Sequence, residues 1–368
     1  MNLLERIDQP TLLVDEQIVR RNIARMAARA QHNGVVFRPH FKTHQSAEVG
    51  EWFRAYGVER ITASSVEMAE YFAGHGWQDI TIAFSLNIRQ MERIRALAAQ
   101  ARLGLLVENA EEVASLAALQ DAPVDVWIKV DVGNHRTGID WREVSSVAAL
   151  CRQVKAAPAL VLRGLLTHSG HTYKARGEAA VCALFREGIE RLNWLRSELA
   201  KAGFDGLKIS AGDTPGCTLC EDWSGADEMR PGNFVFYDAQ QYVAGVCRFE
   251  DIAAAVACPV VAKHAERREV VLYGGAIHLS KDFQSVGEEK SYGLPCLPQG
   301  EGWGQPIPGA LVKGLSQEHG IVSVPGAEFE RIRVGDLLFV IPAHSCLTVQ
   351  VLRKYLTLDG QEIQTLNV

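Results

Sequence analysis

The chain is 368 residues long, with 47 % hydrophobic and 22 % charged residues. That balance excludes a disordered, collagen-like or coiled-coil protein and leaves room for two domains with substantial cores. Its 38 basic and 44 acidic residues give a net charge of −6 with the signs mixed along the chain, so no basic run points to nucleic acid or an anionic membrane.

The opening MNLLERIDQPTLLVDEQ carries early acids and no long apolar core, and no run of about 18 apolar residues follows it. The eight cysteines are scattered. These features predict a cytoplasmic protein with reduced thiols, no secretory leader and no membrane span. Residues 35–37 predict a strand and 45–56 a helix. Strand 60–63 precedes helix 65–74, strand 80–83 precedes helix 88–101, and strand 104–107 precedes helix 110–119. Strand 126–130 leads to helix 141–155 and strand 160–166 to the long helix 177–202. Strand 207–209 enters a Gly/Pro-rich loop, and 234–236 forms an eighth strand. Eight strands mostly followed by helices predict an α/β fold, a (β/α)8 TIM-type barrel of roughly 200–250 residues. An open doubly wound sheet competes, but no glycine-rich nucleotide fingerprint lies between the first strand and its helix.

Beyond about residue 245 the rhythm changes. Strands are expected at 253–261, 269–273, 337–341 and 348–352 without helices between them, which predicts an all-β C-terminal domain. Residues 282–310 are rich in Gly and Pro with little periodicity, and read as a long loop: a lid, an interface segment or a mobile connection.

Reactive residues of a (β/α)8 barrel stand at the C-terminal ends of its strands. Beyond the first strand lies Arg38-Pro39-His40-Phe41-Lys42-Thr43-His44. A lysine crowded by other cations and partly desolvated becomes a nucleophile for a carbonyl; a solvated basic turn is the alternative. The fifth strand runs out through Lys129-Val130-Asp131 to Arg136, where Asp131 and Arg136 could pair and aim the guanidinium into the mouth, or form a structural ion pair. The sixth ends in the polar cluster His168 to Tyr173. Ser210-Ala211-Gly212-Asp213-Thr214 and Arg230-Pro231-Gly232-Asn233 follow the last two strands. There small residues and free backbone N–H groups often bind phosphate, although glycine for turn geometry alone explains them equally well. In Ile341-Pro342-Ala343-His344-Ser345-Cys346 the spacing of two would, in a strand, put His344 and Cys346 on one face, where they could grip a zinc-like ion or sit buried in a β core. Cys217-Thr218-Leu219-Cys220 has no second pair to complete a metal site.

Together, Gln9-Pro10-Thr11, Arg38 to His44, Lys129 to Gly138, His168 to Tyr173, Ser210 to Pro215, Arg230 to Asn233 and Pro342 to Cys346 resemble the fold-type III pyridoxal-phosphate enzymes of the D-serine dehydratase and D-threonine aldolase group, distant relatives of alanine racemase. The resemblance covers nearly the whole chain. It implies a PLP-binding barrel over residues 15–245 and a β domain of residues 1–14 and 246–368, so that the N-terminal strand joins the C-terminal domain. It further implies that Lys42 holds pyridoxal 5'-phosphate covalently, that Arg136 lies near its phenolic oxygen and that Tyr173 sits by its ring. Ser210, Gly212, Thr214, Gly232 and Asn233 would surround the phosphate. His344 and Cys346 would hold a divalent metal, zinc before manganese or magnesium, with the cysteine as the softer ligand. A homodimer whose active sites draw on both chains is implied as well.

In the reaction so implied, the cofactor ring is the electron sink, Lys42 takes the Cα proton, and the metal helps the β-hydroxyl of a D-3-hydroxy amino acid to leave. D-serine, D-threonine or 3-hydroxy-D-aspartate would give a 2-oxo acid and ammonia. The alternative is retro-aldol cleavage to glycine and an aldehyde. A cysteine at the second metal position is typical of the dehydratases and an aspartate of the aldolases, so Cys346 favours dehydration. His278 and Lys281 are candidates for a substrate carboxylate, and His319 for the site lining. A non-catalytic PLP-binding protein, which would lack the second domain, and a racemase, which needs no metal, both fit residues 246–368 and the His-x-Cys pair less well. A metal-only barrel hydrolase lacks a convincing ligand set.

Overall fold

The computed structural model describes residues 3–119 and 123–366. By its internal contacts the chain divides into two units. One comprises Ala24–Lys42 and Gly50–Gly232; the other comprises the described residues up to Ile23, the segment Thr43–Val49, and the described residues from Asn233 onward.

β1 (Thr11–Val14) belongs to the second unit. The strands of the first are β2 (Val36–Phe37), β3 (Ile61–Ala63), β4 (Asp79–Ser85), β5 (Arg102–Val107), β6 (Val124–Asp131), β7 (Ile139–Asp140), β8 (Leu160–Leu166), β9 (Lys208–Ala211) and β10 (Glu228–Met229). Apart from the short β7 beside β6, they pair in the order β2-β10-β9-β8-β6-β5-β4-β3, parallel throughout. The ends of that order meet: Phe41 N–H donates to Thr62 O and Thr62 N–H to Pro39 O, both at 2.9 Å, around a parallel His40/Thr62 bridge. The eight strands thereby close into the expected barrel, and closure satisfies backbone groups that an open edge would leave bare. The helices alternate with the strands, and several begin on the capping residues the sequence supplies: the side chains of Ser65, Asn109 and Asp213 each accept a backbone N–H three residues on.

Two details differ from the sequence reading. The eighth barrel strand is β10, whereas Asn233–Val235 forms a 3₁₀ turn. A short buried apolar run does not by itself distinguish strand from turn. The thiols are not all reduced: Cys182 and Cys220 are disulfide-bonded, and the other six cysteines form no disulfide.

The second unit is mostly β. Its strands are β1, β11 (Ala254–His264), β12 (Glu269–Tyr273), β13 (Gln284–Val286), β14 (Glu289–Ser291), β15 (Gly293–Gln299), β16 (Gly302–Pro306), β17 (Leu311–Leu315), β18 (His319–Ser323), β19 (Leu337–Pro342), β20 (Lys354–Thr357) and β21 (Glu362–Gln364). A main sheet runs β16-β15-β19-β11-β1-β20-β21, and β11 continues into β12, β18 and β17. β1 pairs antiparallel with β11 and parallel with β20, so the N-terminal strand joins this sheet as expected. Residues 282–310 are not a loop but two hairpins, β13–β14 and β15–β16. Residues 348–352 are not a strand; they lie in the helix Ser345–Leu352. Short helices therefore interrupt a domain the sequence predicted as all-β. Among the described residues no helix is long and apolar enough to cross a membrane.

Candidate active site

In the barrel unit, Lys42 follows a firmly anchored strand end. Phe41 is fully buried, with its ring 4.9 Å from those of Phe53 and Phe72 and 5.0 Å from that of Trp77. His40 N–H donates to Pro231 O at 2.8 Å. Lys42 itself is exposed rather than partly desolvated. The crowd of cations expected around it disperses. Arg38 is buried between Asp79 and Glu228, at 2.6 and 3.1 Å, and burial keeps the His44 imidazole neutral, with its pKa pushed down to about 3.

Asp131 does not pair with Arg136. Its carboxylate accepts the N–H groups of Gly133, Asn134 and His135 at 2.8–2.9 Å and so shapes the turn after β6. Arg136 is exposed. The buried base of this region is Lys129, which sequence reasoning passed over. Burial pushes it down to about 7, with Arg230 and Arg136 acting in the same sense and Glu108 and Asp131 opposing. The signal was a lysine inside the apolar run Val126 to Val130, a position charged side chains seldom occupy unpaired.

His168 ties these groups together. Its Nδ1 lies 3.1 Å from Gly212 O, its ring 6.1 Å from that of Tyr173, and burial holds it well below the usual histidine range, helped by the charges of Lys129, Lys42 and Arg136. Lys42, Arg136 and Tyr173, named separately from the sequence, thus act on one neutral imidazole.

The loop after β9 is built around glycine and a cap. Gly212 has φ +149°, and a Cβ there would stand 2.6 Å from Arg230 N. Asp213 accepts Gly216 N–H and Thr172 Oγ1–H, both at 2.7 Å, and burial pushes its carboxyl up to about 6. Tyr173 Oη accepts Thr214 N–H at 3.2 Å. The Thr214 hydroxyl is fully buried and has no hydrogen-bond partner among the described residues, which suits an anionic group such as a phosphate. The Ser210 hydroxyl already accepts Arg230 Nε–H at 2.7 Å. Gly232 is buried at the end of the same unit.

In the β unit, His344 and Cys346 are not in a strand. β19 ends at Pro342, His344 is the cap residue of the helix Ser345–Leu352, and Cys346 lies in its first turn. The His344 side chain is 20 % exposed, enough to meet a small ion, and Cys346 is buried with Sγ 3.2 Å from Thr43 Oγ1. Asp238, which no sequence signal distinguished from an ordinary helix cap, is fully buried with Oδ2 3.5 Å from His344 Nδ1. Asn233, expected at a phosphate, points its amide here: Nδ2 donates to Asp238 Oδ2 at 2.6 Å and Ser345 Oγ at 2.8 Å, with Cys346 Sγ at 3.8 Å. One nitrogen and one sulfur donor suit a borderline divalent metal. Among the described residues no cluster of three or more His, Cys, Asp or Glu forms a metal site.

His278 lies in the short helix Ala276–Leu279, which packs on the helix Ser345–Leu352: Thr348 Oγ1–H donates to Leu279 O at 3.3 Å. His278 Nδ1 accepts Gly275 N–H at 3.2 Å and Nε2 lies 3.9 Å from Glu318, so it closes the start of its own short helix. Lys281 and His319 are exposed. Cys220 of the CxxC is bonded to Cys182, and Cys217 is buried and free.

Comparison with known proteins covers both units. The alanine racemase N-terminal domain matches residues 14–240, and a putative serine dehydratase domain matches residues 253–358. The chain is 30 % identical to a D-threo-3-hydroxyaspartate dehydratase of Delftia sp. strain HT23, over 93 % of this chain and 92 % of that protein. It is 26 % identical to a D-serine dehydratase of Dictyostelium discoideum, over 96 % and 93 %, and 30 % identical to a D-threonine aldolase of Arthrobacter sp., over 93 % and 86 %. The solved Delftia structure superposes with a TM-score of 0.91 over 99 % of both chains. A cysteine-to-alanine mutant of a D-threo-3-hydroxyaspartate dehydratase, solved in the metal-free form, superposes equally well at 29 % identity over 99 % of both chains.

Proposed function

The chain belongs to the D-serine dehydratase and D-threonine aldolase group of alanine racemase-like enzymes, and on that premise we propose that it is a pyridoxal-phosphate- and metal-dependent lyase that dehydrates a D-3-hydroxy amino acid. The substrate loses water and then, on hydrolysis, ammonia, so the net products are a 2-oxo acid and ammonia. The observation that carries dehydration over cleavage is the donor set: two residues after His344, at the second position of the proposed metal pair, stands the thiol of Cys346 where the aldolases typically have an aspartate. The metal-free state of the dehydratase cysteine variant supports a cysteine as a metal ligand in this group.

Bound pyridoxal phosphate supplies an electron sink for the pair released when a bond at Cα breaks. A divalent metal on His344 and Cys346, zinc in our reading, supplies a Lewis acid for the substrate hydroxyl. The protein's own part is to bind and to move protons. Lys42 Nζ would anchor the cofactor and, as a free amine, would take the Cα proton. Thr214 Oγ1 and the backbone about Gly212 and Gly232 would hold the phosphate, with Ser210 beside them. Arg136 would lie near the phenolic oxygen and Tyr173 by the ring. His168 stays neutral and so adds no positive charge to the four cations of this end of the barrel, Lys42, Lys129, Arg136 and Arg230. We assign residues 15–245 to the cofactor barrel and 1–14 with 246–368 to the β domain. We further propose a cytoplasmic homodimer with active sites drawing on both chains.

D-threonine tests the reading because it has both a leaving hydroxyl and a cleavable Cα–Cβ bond. Supplied with pyridoxal phosphate and zinc or manganese, the protein is expected to form 2-oxobutanoate and ammonia. Glycine and acetaldehyde would instead establish the aldolase reading, which the similarity to the Arthrobacter enzyme favours. D-serine and 3-hydroxy-D-aspartate in parallel assays then rank the substrates.

A further inference from the structure

Asp238 combines full burial with a single cation-capable partner. Among the described residues no Lys or Arg forms an ion pair with it, and His344 does. Oδ1 accepts Gln241 N–H at 3.0 Å. Oδ2 accepts Asn233 Nδ2–H at 2.6 Å and Ser345 N–H at 3.1 Å, and stands 3.5 Å from His344 Nδ1, an ion-pair distance that a small turn of the ring would close to a hydrogen bond. One oxygen therefore meets both the ring of His344 and the peptide group between His344 and Cys346. The backbone accepts a left-handed conformation just before this carboxylate: Tyr237, buried and not glycine, has φ +51°. Such a conformation persists where the surroundings over-determine it.

A carboxylate on one ring nitrogen of a histidine fixes the hydrogen there and leaves the lone pair on the other. We propose that Asp238 is the positioning residue of the metal pair, holding the hydrogen of His344 on Nδ1, turning Nε2 to the metal, and fixing the Ser345 peptide so that Cys346 is held in register. This rests on the reading of His344 and Cys346 as ligands. Asn233 supports the same carboxylate, tying it to Ser345 Oγ.

The test measures zinc affinity by competition with a chromogenic chelator on the pyridoxal-phosphate-loaded protein, together with the ligand-field spectrum of the cobalt(II)-substituted form. Asp238→Asn is expected to keep the bound cofactor's absorbance and the thermal midpoint of the wild type, to bind zinc about 10- to 100-fold more weakly, and to shift the cobalt bands. Zinc affinity within twofold of wild type with an unchanged cobalt spectrum would overturn the inference. Should the variant not fold, ¹⁵N-histidine spectra of the zinc-loaded wild type decide, with His344 identified by its loss in His344→Ala. A hydrogen on Nδ1 with zinc on Nε2 is expected, and the reverse overturns the inference. If His344→Ala binds zinc as tightly as wild type, the ligand reading itself fails and takes the inference with it; an effect of His344→Ala without one of Asp238→Asn refutes the positioning role alone.

Discussion

Lys42→Ala is expected to abolish the visible absorbance of bound pyridoxal phosphate while the far-ultraviolet circular dichroism stays that of the folded protein; an unchanged absorbance would remove Lys42 from its role. His44, two residues on, makes a different prediction. Burial lowers its pKa from 6.5 to about 3, so between those values the unfolded chain binds a proton that the native protein refuses. Stability is full above pH 6.5 and falls as the pH drops through the window, by up to ~1.4 kcal/mol per pH unit. Urea unfolding at pH 7 and pH 5 should show a smaller loss for His44→Gln than for wild type, and equal losses would refute the assignment. The segment that made Lys42 legible also misled about its surroundings. Arg38 looks like a neighbour of Lys42 in the sequence, yet its partners Asp79 and Glu228 lie 41 and 190 residues away, and no local pattern announces them.

Gly164 shows how much one position in β8 controls. It has φ +157°, and a Cβ there would lie 1.9 Å from Lys208 O, across the pairing of β8 with β9. Gly164→Ala must move backbone, so a loss of ~1–3 kcal/mol or more is expected, read as a lower urea midpoint; a midpoint equal to wild type would refute the close approach. Phe41→Ala removes the centre of the aromatic cluster behind Lys42 and should cost about 3–5 kcal/mol in the same assay. Seven of the eight barrel strands were legible because they are apolar runs bounded by turn signals; β10, only Glu228–Met229 and half charged, was not. β15 and β16 were not, because their Gly and Pro residues read as loop. At Gly293 a Cβ would stand 2.4 Å from Val340 Cγ1 in β19, so glycine is there for a close strand approach, not for a turn. Thr348 to Leu352 misled in the opposite sense: β-branched residues suggest a strand, and packing makes them a helix.

For the holoenzyme, stripping the metal with a chelator is expected to stop turnover and leave the bound cofactor's absorbance in place, with zinc restoring activity. Full activity after verified metal removal would make the His344–Cys346 pair structural. The division of labour was legible in the sequence at this level: a barrel rhythm carrying the lysine, a β rhythm carrying the nitrogen and sulfur donors. The precise seat of those donors was not. Their spacing suggested one face of a strand, and they occupy a strand-to-helix junction.

Hydrophobic period and turn residues are local properties, and they were enough to specify a parallel barrel followed by a mostly β domain; the place of the first strand in that domain and the roles expected of Lys42, His344 and Cys346 came from the resemblance to a family. Long-range pairing supplied the rest. The His40/Thr62 bridge closes the barrel, burial beside Arg230 and Arg136 brings Lys129 to about 7, and Asn233 and Asp238 reach Ser345 across 112 and 107 residues of chain. A strand or helix shows its period within a few residues. A buried polar group is defined by the partners that replace its water, and here those partners arrive from distant parts of the chain only when it folds.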